Sequence, residues 1–117
     1  AAATHGADVI RKILANTPPE TSDYCLFYNV NFPPVLSGNV KGIRVTSQGF
    51  RQGTSFSVEP HSSPSGRRFL WIKGGNQRIM TAPGTDAAAN LDGYVSVTPM
   101  RADLTAHDMM DALKAIE

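Results

Sequence analysis

This 117-residue sequence has one cysteine, no adjacent aspartates and no long apolar run. Its one cysteine, Cys25, has no partner for an internal disulfide, so crosslinks contribute nothing to the fold. No apolar run reaches the roughly 20 residues that a membrane-spanning helix needs. Because Cys25 stands at the start of an apolar stretch, we expect a buried, reduced thiol, which suits a cytoplasmic protein.

The chain also has almost no net charge. Eleven lysines and arginines oppose ten acidic residues, which gives a formal charge of +1. This balance supplies no general field to attract nucleic acid or a membrane surface, so we expect neither as a partner. Length and composition fit one globular domain spanning residues 1–117. Because the sequence begins with alanine and has no secretory-signal pattern, we interpret it as an internal segment of a longer chain.

Residues that ligate metals are dispersed along the chain. His5, His61 and His107 lie far apart in sequence, and no cysteine cluster accompanies them. Asp108 and Asp111 fall near the start of a predicted helix, where carboxylates complement the helix dipole. The sequence therefore predicts no catalytic residue and no metal ligand within this chain.

Hydrophobic periodicity predicts a mixed α/β fold. Apolar residues at helical spacing predict a helix over 6–15, ended by Pro18 and Pro19. Strands, each bounded by turn residues, are predicted over 26–32, 42–48, 54–58, 69–73 and 94–98. We expect the first of these to be largely buried and the last to be closed by Pro99.

Residues 48–73 are interpreted as a long polar hairpin that turns between Glu59 and Arg67. An isolated hairpin is marginally stable in water, so its apolar side chains need a cover. An oligomer contact is favoured over packing within the subunit. The predicted interface residues on the hairpin are Phe56, Val58, Phe69 and Trp71.

The hairpin also carries basic side chains beside its aromatic residues. Such a pattern could bind single-stranded nucleic acid through charge and stacking. A solvated hairpin whose long side chains keep their charged ends in water is the favoured interpretation. The basic residues concerned are Arg67, Arg68, Lys73 and Arg78.

Gly84, Thr85 and Asp86 precede a short Ala-rich helix, predicted over 86–92 and stopped by Gly93. Free N–H groups at a helix start together with a hydroxyl can receive a phosphate, so Thr85 and Asp86 are candidate substrate-binding residues. The same atoms also make an ordinary helix cap, which is the favoured reading. Asp86 would repel a phosphate unless a metal lay between them.

The C-terminal arm, residues 100–117, is expected to end in a helix that begins at Thr105, with Asp108 completing a capping box. Asp103 and His107 are four residues apart and can meet if the chain bends there. The pair is therefore a candidate hinge and a candidate part of the oligomer interface. The apolar stripe of the terminal helix indicates core or interface packing. Its members are Met109, Met110, Leu113 and Ile116.

Several segments, in order and spacing, resemble the SurE family of nucleotidases, and the resemblance spans nearly the whole chain. They are Asn29–Pro33, Lys41–Thr46, Gly84–Asp86, Gly93–Pro99 and Asp103–His107. The resemblance implies the C-terminal half of a three-layer α/β/α fold with a protruding β-hairpin and a C-terminal helical arm. It also implies subunits that exchange these extensions in dimers or tetramers.

The resemblance further implies that the complete protein hydrolyses nucleoside monophosphates with a divalent cation, Mg²⁺ or Mn²⁺. In the family an Asp-Asp pair near the N-terminus holds the metal, helped by a serine and an asparagine from the same first half. This sequence has no Asp-Asp pair. The chain is therefore expected to serve fold completion and oligomerisation, with a non-catalytic oligomerisation or binding module that stands alone as the alternative.

Overall fold

The computed structural model describes residues 1–19 and 23–116. Its helices are α1 (Ala2–Asn16), α2 (Asp86–Leu91) and α3 (Met110–Leu113), and its strands are β1 (Phe27–Asn31), β2 (Ile43–Val45), β3 (Ser57–Ser62), β4 (Arg68–Lys73) and β5 (Val95–Met100). Short 3₁₀ turns cover Ser37–Asn39, His107–Met109 and Lys114–Ile116. Part of the polar loop expected after the first helix, and the last residue of the predicted arm, lie outside the described residues.

A three-stranded sheet with the order β1-β5-β2 forms the centre of the fold. β1 is antiparallel to β5, and β2 is parallel to it. The chain returns from β2 to β5 through α2, as a parallel pair requires. The α/β class predicted from the sequence is confirmed.

The helices lie on opposite faces of this sheet because β5 alternates its side chains between them. Val95 and Val97 point towards α1, where they form the core with Val9. Ser96 and Thr98 point to the other face, on which α2 packs through its buried Ala88 and Ala89. This arrangement places a polar sheet face next to the start of α2.

Pro99 continues a strand that it was expected to close, and Pro60 lies in a strand rather than in the predicted turn. Pro99 pairs with Tyr28, and β5 runs to Met100. β2 pairs with β5 only as far as Val97, so beyond that residue β5 has one described neighbour and needs fewer donors. In the same way Pro60 pairs with Leu70 in the two-stranded β3–β4 ribbon. The turn predicted between Glu59 and Arg67 is confirmed in place but is shorter than that interval, because it occupies residues 63–67 and the residues before it belong to β3.

The N-terminal side of β1 is more open than expected. Cys25 is exposed, so the prediction of a buried thiol is wrong. β1 was also expected to be largely buried, but Phe27 is exposed and the rest of the strand is at most half-buried. The reason is topological, since β1 is an edge strand whose one described neighbour is β5.

The predicted capping box at the terminal helix is wrong. The residue that precedes the first helical turn is Ala106, and no side chain caps it. The Asp103 carboxylate instead accepts a hydrogen bond from the Thr105 N–H at 3.0 Å. The arm then alternates between 3₁₀ and α geometry, and its whole apolar stripe is exposed. Among the described residues, no helix is long and apolar enough to cross a membrane.

Candidate functional site

The start of α2 carries the candidate substrate-binding residues predicted from the sequence. Thr85 is buried and caps the helix, accepting a hydrogen bond from the Ala88 N–H at 3.4 Å. Its hydroxyl donates to the Ala82 carbonyl at 2.7 Å and also contacts the Thr81 hydroxyl. The predicted cap is confirmed, and its hydroxyl is already engaged within the protein.

Asp86 ties α2 to the loop that follows β2. Its Oδ1 accepts from the Gly49 N–H at 2.8 Å and from the Ala87 N–H at 2.7 Å. The Asp86 N–H donates to the Ser47 carbonyl at 2.9 Å, and Ser47 forms an isolated bridge with Thr85. Asp86 thus fixes residues 47–49 after β2, through its carboxylate at Gly49 and its backbone N–H at Ser47.

Gly49 allows this junction to close. A Cβ at this position would lie 2.9 Å from Asp86 Oδ1 and 3.2 Å from Thr85 Cβ. We expect Gly49→Ala in the full-length protein to lower the free energy of unfolding by about 1–3 kcal/mol, because overpacking displaces fixed neighbours. Urea denaturation measures the change. Gly38→Ala is the control, since no atom of the described residues lies within 4 Å of a Cβ placed there. Equal stability of the two variants would contradict the junction.

A polar cavity of about 350 Å³ opens beside this junction. It lies on the sheet face opposite α1, at the carboxyl ends of the parallel strands β2 and β5. Its floor and rim carry amide side chains, one arginine and the Asp86 carboxylate. Its polar lining includes Asn29, Asn31, Gln48, Arg51, Asp86 and Asn90.

The β3–β4 hairpin exposes both of its faces. Val58 pairs with Ile72, and Glu59 pairs with Trp71, so neighbouring residues along each strand point to opposite sides. Phe69 and Trp71 therefore lie on one face and Val58 on the other. All four predicted interface residues are exposed, Phe56 by 77% and Trp71 by 59%.

The aromatic face of the hairpin also carries charge. The His61 ring stacks on Phe69 with centroids 5.8 Å apart and meets Trp71 edge-on at 6.4 Å. Glu59 accepts from Lys73 at 3.3 Å. The basic residues considered for nucleic-acid binding are all exposed on the hairpin and in the loop after it.

Asp103 and His107 meet as their spacing allowed. The His107 Nε2 and Asp103 Oδ2 atoms are 2.6 Å apart. Hydrogen bonds from His107 and then from Thr105 hold the pKa of Asp103 below its ordinary 3.8, at about 2. The contact is on the surface, and its role as a hinge stays a prediction.

We expect His107→Ala to raise the pKa of Asp103 back towards 3.8, because the largest cause of its depression is removed. A carboxyl whose pKa is lowered by folding stabilises the folded state at any pH above the pKa of the unfolded chain. That contribution is lost as the pH falls from about 4 to about 2. Carboxyl-carbon NMR titration of the full-length protein measures the shift, with His61→Ala as control.

If the pair also fixes a hinge, native mass spectrometry of His107→Ala will show altered assembly. Unchanged assembly and an unchanged melting curve would end the hinge proposal.

A divalent cation is held by several donor side chains that lie close together. Within residues 1–19 and 23–116, no three histidine, cysteine or acidic side chains come together. Asp86, the carboxylate nearest the polar cavity, already accepts two backbone hydrogen bonds through one oxygen. Neither observation identifies a catalytic metal site among the described residues.

Sequence reasoning did not find two contacts that shape the sheet. Thr46 and Thr98 share a buried hydrogen bond of 2.8 Å across β2 and β5. At the edge of the sheet, the Arg44 guanidinium lies 3.6 Å from the centre of the Tyr94 ring and pairs with Asp92 at 3.2 Å. Both depend on strand pairing between distant residues, so no short motif signals them.

Relatives of this chain are recognised along its whole length. It is 66% identical over 117 residues to a protein of Ruegeria sp. (strain TM1040) named 5'-nucleotidase SurE, and 70% identical over 114 residues to the one of Ruegeria pomeroyi. The chain belongs to the SurE family. It spans only 45% and 44% of the lengths of these two relatives, in agreement with the C-terminal half of the SurE domain. No family model matches the chain.

A solved SurE structure supports the same assignment. The crystal structure of the SurE protein from Aquifex aeolicus aligns with 97% of this chain at a TM-score of 0.66 and 37% sequence identity. The chain covers 44% of that structure. The SurE resemblance stated from the sequence motifs is thereby confirmed, as is the α/β fold that it implied.

Proposed function

We propose that this chain is part of a metal-dependent 5'-nucleotidase that hydrolyses nucleoside monophosphates. The observation that carries the proposal is its identity of 66–70% to proteins named 5'-nucleotidase SurE. The full-length protein would use Mg²⁺ or Mn²⁺, held by residues outside this chain. A bound divalent cation would polarise the phosphate and supply an activated water.

Within that enzyme the chain completes the sheet and mediates homo-oligomer formation, as a dimer or tetramer. Support comes from the hairpin, whose aromatic and aliphatic side chains are exposed on both faces. An exposed apolar surface of this kind is typical of a protein contact. We assign the interface to Phe56, Val58, Phe69 and Trp71 on the hairpin, and to Asp103 and His107 at the base of the arm.

Two further assignments stay predictions. Thr85 and Asp86 join the start of α2 to the loop after β2, and in this position they would help to shape the substrate site. A cytoplasmic location rests on the single cysteine, since a free thiol suits a reducing compartment.

The test is phosphate release from adenosine and guanosine monophosphates by the full-length protein. We expect turnover with Mg²⁺ or Mn²⁺ and its loss when EDTA removes the metal. Restoring activity by adding the cation back separates metal removal from unfolding. Turnover that survives EDTA, or no turnover with either cation, would contradict the proposal.

A further inference from the structure

The polar cavity beside α2 has the position of a ligand site. In open α/β sheets, ligands bind outside the carboxyl ends of the parallel strands. Gln48 follows β2, and Thr98 and Met100 end β5, so both parallel strands finish at this cavity. Its volume of about 350 Å³ is at the lower end of the roughly 300–1,000 Å³ common for small-molecule sites.

The polar groups that line the cavity are of two kinds. Those of the fixed wall are hydrogen-bonded within the chain, and those of the open set are not. In the wall, Asn90 donates to the Asn31 carbonyl at 2.9 Å, and Asp86 accepts from the Gly49 N–H. These bonds hold the lining in place. In the open set, the side chains of Asn29, Asn31, Gln48 and Arg51 form no hydrogen bond or ion pair within the described residues.

The guanidinium of Arg51 has a hydrogen-bond donor that is unpaired in the described part of the chain. Its Nε is buried and has no hydrogen-bond partner among the described residues. An unpaired buried donor costs roughly 1–3 kcal/mol, and more when the group is charged. An acceptor within hydrogen-bond distance of Nε, from a ligand or from the rest of the full-length protein, would remove this cost; the described chain supplies none.

The chemistry of the open set selects the ligand class. Each amide offers a donor and an acceptor side by side, as the edges of nucleobases and ribose hydroxyls require. Arg51 supplies donors only, and because the lining holds one arginine and one aspartate its formal charges sum to zero, which leaves no excess positive charge to hold a phosphate. Met100 adds an apolar wall against which a planar ring can lie.

We propose that this cavity binds the nucleoside part of the nucleotide substrate, with Gln48 and Arg51 as specificity-determining residues. The proposal rests on the proposed nucleotidase function and deepens it. The phosphate would then lie outside the cavity, towards the metal-holding part of the enzyme. The amides of Asn29 and Asn31 complete the hydrogen-bonding surface.

Kinetics of the full-length protein test the assignment with two substrates. Gln48→Ala and Arg51→Ala are each expected to raise the KM for adenosine monophosphate about three- to tenfold, the loss of one or two hydrogen bonds. The KM for p-nitrophenyl phosphate, which has no nucleoside, is expected to stay unchanged. Gln52→Ala is the matched control, because this exposed glutamine of the same loop does not line the cavity.

The other outcomes distinguish a failure of nucleoside recognition from a failure of the nucleotidase function. Unchanged KM for both substrates in both variants, or equal increases for both, would overturn nucleoside recognition while the nucleotidase function stands. If the wild-type protein hydrolyses neither substrate, the proposed function fails, and calorimetric titration with adenosine decides the cavity separately. Adenosine binding weakened by Gln48→Ala but not by Gln52→Ala supports the site; no adenosine binding overturns it.

Discussion

Replacing Trp71 with glutamate in the full-length protein is expected to separate its subunits. The indole is 59% exposed on the described chain and stands beside Phe69 on one face of the hairpin. Buried tryptophans at the centre of an interface contribute about 2–4 kcal/mol or more to association. A carboxylate at the same place must also lose its hydration, so the dissociation constant should rise at least 30-fold.

Light scattering across a concentration series measures the subunit dissociation. Leu36→Glu is the matched control, because Leu36 is an exposed apolar residue outside the hairpin strands, directly before the 3₁₀ turn Ser37–Asn39. We expect that variant to keep the wild-type mass. An unchanged mass for Trp71→Glu, together with a folded circular-dichroism spectrum, would remove this face of the hairpin from the interface.

The opposite face of the hairpin is also apolar and exposed. Val58 and Ile72 pair across the strands on that side, and both are exposed. A ribbon covered on one side only would leave this aliphatic pair in water. If the proposed homo-oligomer forms through the hairpin, we expect both of these faces to be buried in it.

Elements whose signals are local could be predicted from the sequence. The first helix ends at Asn16, directly before Thr17 and the two prolines, and α2 begins at the Thr85 cap. Gly93, which stops α2, has a φ of 88°, a conformation that glycine adopts without strain. In each case a few neighbouring residues determine the backbone geometry.

Features that depend on distant pairing could not be predicted in this way. Pro60 and Pro99 look like strand breakers, but each lies where its strand needs no donor on one side. The exposure of Cys25 follows from the edge position of β1. The hairpin register also separates Val58 from Trp71, two residues that the sequence placed in one interface set.

The polar cavity illustrates the same limit for the candidate site. Asn29 and Asn31 come from β1, Gln48 and Arg51 follow β2, and Asp86 begins α2. No two of these segments are adjacent in sequence, and the strand order alone brings them together. The start of α2 could be identified as a candidate from its cap, whereas the amides beside it have no motif.

Phosphate release by the separate 117-residue chain and by the full-length protein, measured side by side, tests the central claim most directly. Metal-ion catalysis needs several oxygen ligands held together, and no three candidate donors cluster among the described residues. We therefore expect the full-length protein to release phosphate from adenosine monophosphate with Mn²⁺, and the separate chain to stay at the buffer rate. EDTA-sensitive turnover by the separate chain would contradict the claim that the catalytic metal is held elsewhere in the protein.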